Sequence, residues 1–322
     1  MKFSVVIVLK QDNPYMRETL AALEHVNHSD FEILVLPDAS FTLDGRARVI
    51  PTGTIGPAAK RDIALSHTRG EVIAFLDDDT FPERAWLTNA EKYFDDVRVA
   101  AIGGPAVTPP TDTVLQKASG FVYASLLGGG NYAYRYVPQT QRDVDDYPTC
   151  NLMVRRAVLE QVGGFDTAFW PGEDTKLCLD ITHKLGMKIV YAPDVIVNHH
   201  RRPLFAGHLR QVRNYARHRG YFAKRFPETS MRVSYFLPTL LLLGLWIGAT
   251  LALAFPELRA GYATIIALYA LAVSASAWFA CKSLALTILT ALGIIATHLV
   301  YGIWFVRGLL AARLREELSP SF

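Results

Sequence analysis

Cysteine is scarce in this chain of 322 residues, with only Cys150, Cys178 and Cys281. An odd count without paired spacing excludes a disulfide framework and a zinc pattern, and it fits a reducing compartment. Net charge is slight as well. Lys and Arg total 33 against 30 Asp and Glu, leaving +3, too little to imply a nucleic-acid partner. Charge is most conspicuously missing between residues 235 and 306, where Glu257, Arg259 and Lys282 carry all of it. Three apolar stretches fill that region: Tyr235–Phe255, Ala260–Ala280 and Leu284–Val306. Each is long enough to cross a bilayer, and no soluble core needs three in succession. They hold almost no ionisable group except His298, which argues against a transport route. The opening run from Ser4 to Leu9 is too brief for a signal peptide's apolar region with its cleavage site and reads instead as a first strand.

What is present divides the chain. Residues 1–234 carry nearly all the charge and alternate between strand and helix. Strands are expected at Ser4–Leu9, Phe31–Leu36, Glu71–Leu76, Val99–Ile102 and Lys188–Tyr191. Helices are expected at Tyr15–Glu24, Ala58–Ser66, Arg84–Phe94, Ala157–Val162 and Thr175–Leu185. Such alternation predicts an α/β domain with right-handed crossovers and a largely parallel sheet. Residues 105–148 read as irregular loops over a site.

The residues richest in chemistry are Asp77-Asp78-Asp79, which close the apolar strand ending at Leu76. Ligands collect beyond the carboxyl ends of strands in an open α/β sheet. Adjacent carboxylates repel there unless a cation or protons intervene. Hard oxygen ligands suit Mg²⁺ or Mn²⁺ shared with substrate phosphates, and Asp77 with Asp79 is the expected pair. A second acidic pair, Glu173-Asp174, opens a helix just after Trp170, where the helix dipole favours one carboxylate. Either could also act as a general base toward a hydroxyl. Next comes His199-His200-Arg201-Arg202. A histidine there supplies a further metal ligand or meets a phosphate, or the pair simply lies on the surface before a basic helix. The arginines could grip phosphate oxygens bidentately or rest on anionic lipid headgroups.

In order along the chain, these pieces resemble the motifs of a family 2 glycosyltransferase with the GT-A fold, the inverting type in which membrane helices follow a cytoplasmic catalytic domain. The resemblance covers about residues 3–225. Ser4-Val5-Val6-Ile7-Val8 is similar to the family's opening strand, and Glu32 to Ser40 to its second strand and the acidic turn that holds base and ribose, which implicates Asp38. Gly56-Pro57-Ala58-Ala59-Lys60-Arg61-Asp62 is similar to a stretch whose arginine, here Arg61, approaches the nucleotide. Phe75 to Asp79 resembles the D-x-D metal motif, with Asp77 and Asp78 on the nucleotide sugar and His199 as a further metal ligand. Asn151 to Arg156 with Gly163-Gly164-Phe165-Asp166 resembles the acceptor-side signature. Gly172-Glu173-Asp174 resembles the E-D pair whose aspartate is the base, with Glu173 as neighbour or substitute. Trp170, His200, Arg201 and Arg202 then fall on the acceptor side. Two departures stand out. Pro37 replaces the first aspartate of the acidic turn. The Q-x-x-R-W motif of processive synthases is not met at Gln211 to Tyr215, which favours a single transfer.

The resemblance implies a Rossmann-like nucleotide-sugar-binding domain over 1–225, a basic juxtamembrane segment 226–234, transmembrane helices at 235–255, 260–280 and 284–306, and a tail 307–322. It implies a nucleotide-sugar donor, Mg²⁺ or Mn²⁺, contact with membrane lipids, and a lipid-linked acceptor such as a polyprenyl phosphate or polyprenyl-diphosphate saccharide. Nine basic residues between Arg201 and Arg232 favour a cytoplasmic catalytic domain at a bacterial inner membrane or its equivalent. A count of three crossings places the tail on the far side. Two rivals are a membrane-anchored scaffold that keeps the fold without the chemistry and a phosphohydrolase with an aspartyl nucleophile.

Overall fold

The computed structural model describes residues 1–318. The chain forms two compact units. Among the described residues, the first comprises 1–107, 137–200 and 315–318, the second 108–136 and 201–314. Residues 108–136 and 201–225 therefore group with the apolar helices and not with residues 1–107.

Among the described residues of the first unit, eight strands form one sheet: β1 (Phe3–Val8), β2 (Phe31–Leu36), β3 (Ala47–Val49), β4 (Val72–Asp77), β6 (Val99–Gly103), β8 (Arg142–Val144), β9 (Asn151–Arg155) and β10 (Lys188–Tyr191), in the order β3-β2-β1-β4-β9-β6-β10-β8. The sequences FSVVIV and VIAFLD are buried almost throughout, as strands covered on both faces must be. The core is built around them from Phe3, Ile7, Ile33, Val35, Ala74, Leu76, Trp86 and Met153. The register sets Val8 beside both Leu36 and Asp77, so three strands end level.

The sheet is more mixed than expected. β9 runs antiparallel to both its neighbours, β4 and β6. No crossover helix carries the chain back to the amino ends of the strands between β6 and β9, so β9 re-enters from the carboxyl side. Residues 105–148 are also more ordered than expected. They contain the helix Val114–Ala124, opened by a capping box in which Thr113 and Gln116 satisfy each other's backbone N–H groups. The helix expected at Thr175–Leu185 is α-helical over Glu173–Leu179 and widens into a π turn over Asp180–Lys184. A second sheet joins β5 (Thr80–Pro82), β11 (Val197–His199) and β7 (Ala106–Val107).

Among the described residues three segments are long and apolar enough to cross a membrane: Val233–Ala254, Pro256–Cys281 and Leu284–Glu317, all but residues 315–317 in the second unit. The basic helix Ala206–Arg225 lies along the helix Leu284–Leu310. Glycines let the two backbones touch. A Cβ on Gly220 would stand 2.0 Å from the Phe305 carbonyl oxygen, and one on Gly308 1.9 Å from that of Arg217. The same stretch meets the start of the first apolar helix. The rings of Phe236 and Phe305 are 4.8 Å apart, and the Thr239 hydroxyl donates to the Gly302 carbonyl at 3.0 Å.

Candidate active site

Asp77 is the last residue of β4 and Asp79 the last before β5. β5 pairs antiparallel with β11, setting Thr80 opposite His199. That register brings a histidine 120 positions away to the carboxylates, with His199 Nε2 lying 3.1 Å from Asp79 Oδ1. One ligand atom each from Asp77, Asp79 and His199 falls within 4.8 Å of the others. Asp79 is buried, His199 nearly so and Asp77 partly open. Burial pushes the Asp77 carboxyl above its usual range; the Asp79 charge adds to this, while Arg61 and His199 oppose it. Two carboxylates and an imidazole make a donor set that fits Mg²⁺ or Mn²⁺. Asp78 turns elsewhere, accepting from Asn13 Nδ2 at 2.6 Å. Asn13 also caps the helix Pro14–Leu23 through the Met16 N–H.

Arg61 connects the two acidic regions. It projects from the helix Pro57–His67, and its buried guanidinium donates to Glu173 Oε1 at 2.7 Å and to Asp77 Oδ1 at 3.3 Å. The other Glu173 oxygen accepts from the Gly172 N–H at 3.0 Å. Glu173 is thereby buried and engaged on both oxygens. Asp174 stays partly open, accepting from the Thr175 N–H at 2.8 Å. Thr175 is itself tied to the buried Asp146, 2.9 Å away. Trp170 is exposed.

Asp38 sits just beyond β2 and is held by Lys60, a residue given no role by the sequence. The buried Lys60 ammonium donates to Asp38 Oδ1 at 2.5 Å and to the Leu9 carbonyl at 2.6 Å. Its signal was present, since two adjacent cations, Lys60 and Arg61, fall on the buried face of their helix with Ala58 and Ala64. Asp62 was missed too. It accepts from the Phe165 and Asp166 N–H groups at 2.7 and 3.3 Å, fixing the glycine turn. Gly164 there has a φ of +82°, and a Cβ on it would come 2.3 Å from Asp62 Oδ1. Asn151, in the acceptor-like motif, binds Trp86 and the carbonyls of Gly104 and Val195 inside the core.

His200 is buried, with Nε2 2.8 Å from Glu18 and its ring 4.5 Å from that of Tyr15. Arg201 and Arg202 belong to the second unit. There Arg201 is buried, bonding Thr108 and stacking on Tyr136, while Arg202 is exposed. Asp38, Arg61, Asp77, Asp78, Asp79, Trp170, Glu173, Asp174, His199 and His200 all lie in the first unit.

Residues 4–163 match the family described as glycosyl transferase family 2. The pre-mycofactocin glycosyltransferase of Mycobacterium tuberculosis is 30% identical over 148 residues, which is 46% of this chain and 30% of that protein. The glycosyltransferase AglE of Haloferax volcanii is 26% identical over 224 residues, 62% of this chain and 67% of that one. The glucosyl-dolichyl phosphate glucuronosyltransferase of the same organism is 26% identical, covering 43% of this chain and 48% of that protein. The chain thus spans under a third of the first of these relatives. Among solved structures, the mannosyltransferase PcManGT from Pyrobaculum calidifontis, in complex with GDP-Man and Mn²⁺, superposes with a TM-score of 0.64. That match is 20% identical and covers 97% of this chain and 88% of the other. By its family match over residues 4–163, the chain belongs to glycosyl transferase family 2, and its sheet and superposition show a GT-A fold, followed by long apolar helices.

Proposed function

We propose that this protein is a metal-dependent, inverting glycosyltransferase that moves one sugar from a nucleotide-sugar donor to a lipid-linked acceptor at the cytoplasmic face of a membrane. The observation that carries the reading is the convergence of Asp77, Asp79 and His199 at the carboxyl end of the sheet. These three would hold Mg²⁺ or Mn²⁺. When bound, the ion supplies charge neutralisation for the departing diphosphate. Arg61 keeps Glu173 and Asp77 in fixed relation. Asp174 takes the proton from an acceptor hydroxyl as that oxygen attacks the anomeric carbon and the bond to the nucleotide diphosphate breaks on the opposite face. Asp38, oriented by Lys60, borders the nucleotide.

The lipid acceptor draws support from the apolar helices and from the relative whose name specifies a dolichyl phosphate. The cytoplasmic placement draws support from the basic stretch before Tyr235. The test is turnover of a nucleotide-sugar panel by the purified full chain, with Mn²⁺ and with chelator, on soluble and lipid-linked acceptors. One donor should be consumed, chelation should abolish transfer, and Asp79→Ala should remove the metal-dependent rate. Full activity in Asp79→Ala would sink the metal assignment. Absence of any donor turnover would favour the scaffold reading.

A further inference from the structure

Arg210, Arg213 and Arg217 recur at i, i+3 and i+7 on the helix Ala206–Arg225, so they share one stripe. Like charges at this spacing repel, and helix stability alone does not account for them. A fourth cation joins from another helix. The Arg213 guanidinium lies 5.2 Å from the centre of the Trp304 ring, and that of Arg307 lies 4.5 Å from the same ring. Two guanidiniums thus share one indole. Among the described residues, no carboxylate pairs with either. The arrangement is built into the fold, because the glycine contacts at Gly220 and Gly308 are what bring the two helices side by side.

We propose that Arg213, Trp304 and Arg307 form a binding site for the phosphate of an anionic phospholipid headgroup. The chemistry fits on three counts. Guanidiniums bind phosphate oxygens bidentately. Tryptophan near the end of an apolar span is at home at headgroup level. Arg210 and Arg217 extend the positive stripe, and each arginine near an anionic surface strengthens attraction about five-fold. None of its residues belongs to the first unit, which holds the candidate metal and base residues.

The test uses the full chain in neutral detergent, with lipid retention followed by native mass spectrometry. Phosphatidylglycerol should bind more tightly than phosphatidylcholine at matched concentration. The double substitution Arg213→Gln and Arg307→Gln should weaken phosphatidylglycerol binding at least five-fold and leave phosphatidylcholine unchanged. Arg213→Lys with Arg307→Lys, which keeps the charge and loses the fork, should fall between. If the glutamine pair does not fold, Trp304→Leu serves, and it too should weaken the anionic lipid selectively. Equal retention of the two lipids by the wild type, or no change in the variants, would overturn the proposal. Competition by millimolar inorganic phosphate to the same extent as by lipid would reassign the site to a free anion.

Discussion

Replacing Arg61 by Met would leave Glu173 charged inside the protein without its cation. The two side chains are only 4% and 7% exposed and meet at 2.7 Å. At an effective dielectric of about 20, two unit charges so placed attract by about 6 kcal/mol, much of it offset by the cost of removing both from water. Breaking such a pair on one side costs roughly 3–5 kcal/mol. The Gly172 N–H still serves one Glu173 oxygen, so the lower end applies. A loss of about 3 kcal/mol corresponds to a fall in melting temperature of about 6–12 °C for a unit of this size. Glu173→Gln removes the charge and should cost less, because Arg61 retains Asp77. The double variant removes both members of the buried pair and leaves only the partly open Asp77 without Arg61, so it should recover roughly 2 kcal/mol relative to the sum of the single losses. Thermal unfolding of the four proteins in detergent, followed by tryptophan fluorescence, measures the cycle. Single losses that simply add, to within about 0.5 kcal/mol, would refute the coupling between the two acidic regions.

Asp174→Asn keeps the shape of the proposed base and removes its basicity; kcat should fall by roughly 10²–10⁴ while donor affinity measured by calorimetry survives. His208 predicts an acid-sensitive second unit. Its ring is buried between the Ser119 and Thr297 hydroxyls, each 2.8 Å away, and burial lowers its pKa to about 4. The fold holds it neutral while the unfolded chain protonates it, so its contribution is complete above about pH 6.5 and drains away as pH falls toward 4, by up to about 3 kcal/mol. His208→Gln should flatten the stability profile in that window, and a profile unchanged in shape would exclude the histidine as its source. Reporter fusions test the side of the tail. Residues 302–311 pack beside 217–239, with the Lys224 amine donating to the Ala311 carbonyl at 2.7 Å. A reporter after Phe322 should therefore signal the same side as the basic helix; the opposite side, as a count of three full crossings gives, would contradict that packing.

The parallel half of the sheet was readable because its strands are short, fully apolar and punctuated by helices with clear start signals, such as Asn13-Pro14 and Gly56-Pro57. β9 was not, because its direction depends on where the chain re-enters the sheet, which no local pattern encodes. The same holds within the site. Asp77 and Asp79 announce themselves as charge at the end of an apolar strand. His199 was expected beside them, but the β5–β11 register that brings it there, a pairing across more than a hundred residues, was not legible. Arg61 was singled out by the motif it falls in, but its grip on Glu173 was not legible, because a side chain's partner across 112 positions is a tertiary fact. Helix Val114–Ala124 could have been found from Thr113 and Gln116 alone, whose spacing is a capping signature.

The glycine contact between Arg217 and Gly308 also orders events in time. A ribosome finishes the basic helix some ninety residues before it supplies the surface against which that helix packs. Until then, a strip carrying Ala216, Gly220 and Ala223 lacks Phe305, although Tyr235 of the first apolar helix joins the same cluster. The contacts of Gly220 and Ala223 are therefore completed only when the last apolar segment has been made. A chain interrupted near residue 300 would possess every motif of the transferase unit and still lack Phe305 and Gly308, against which the second half of the basic helix packs. Such truncations should appear as proteolytic sensitivity at residues 206–225, well before any fault in the sheet becomes visible.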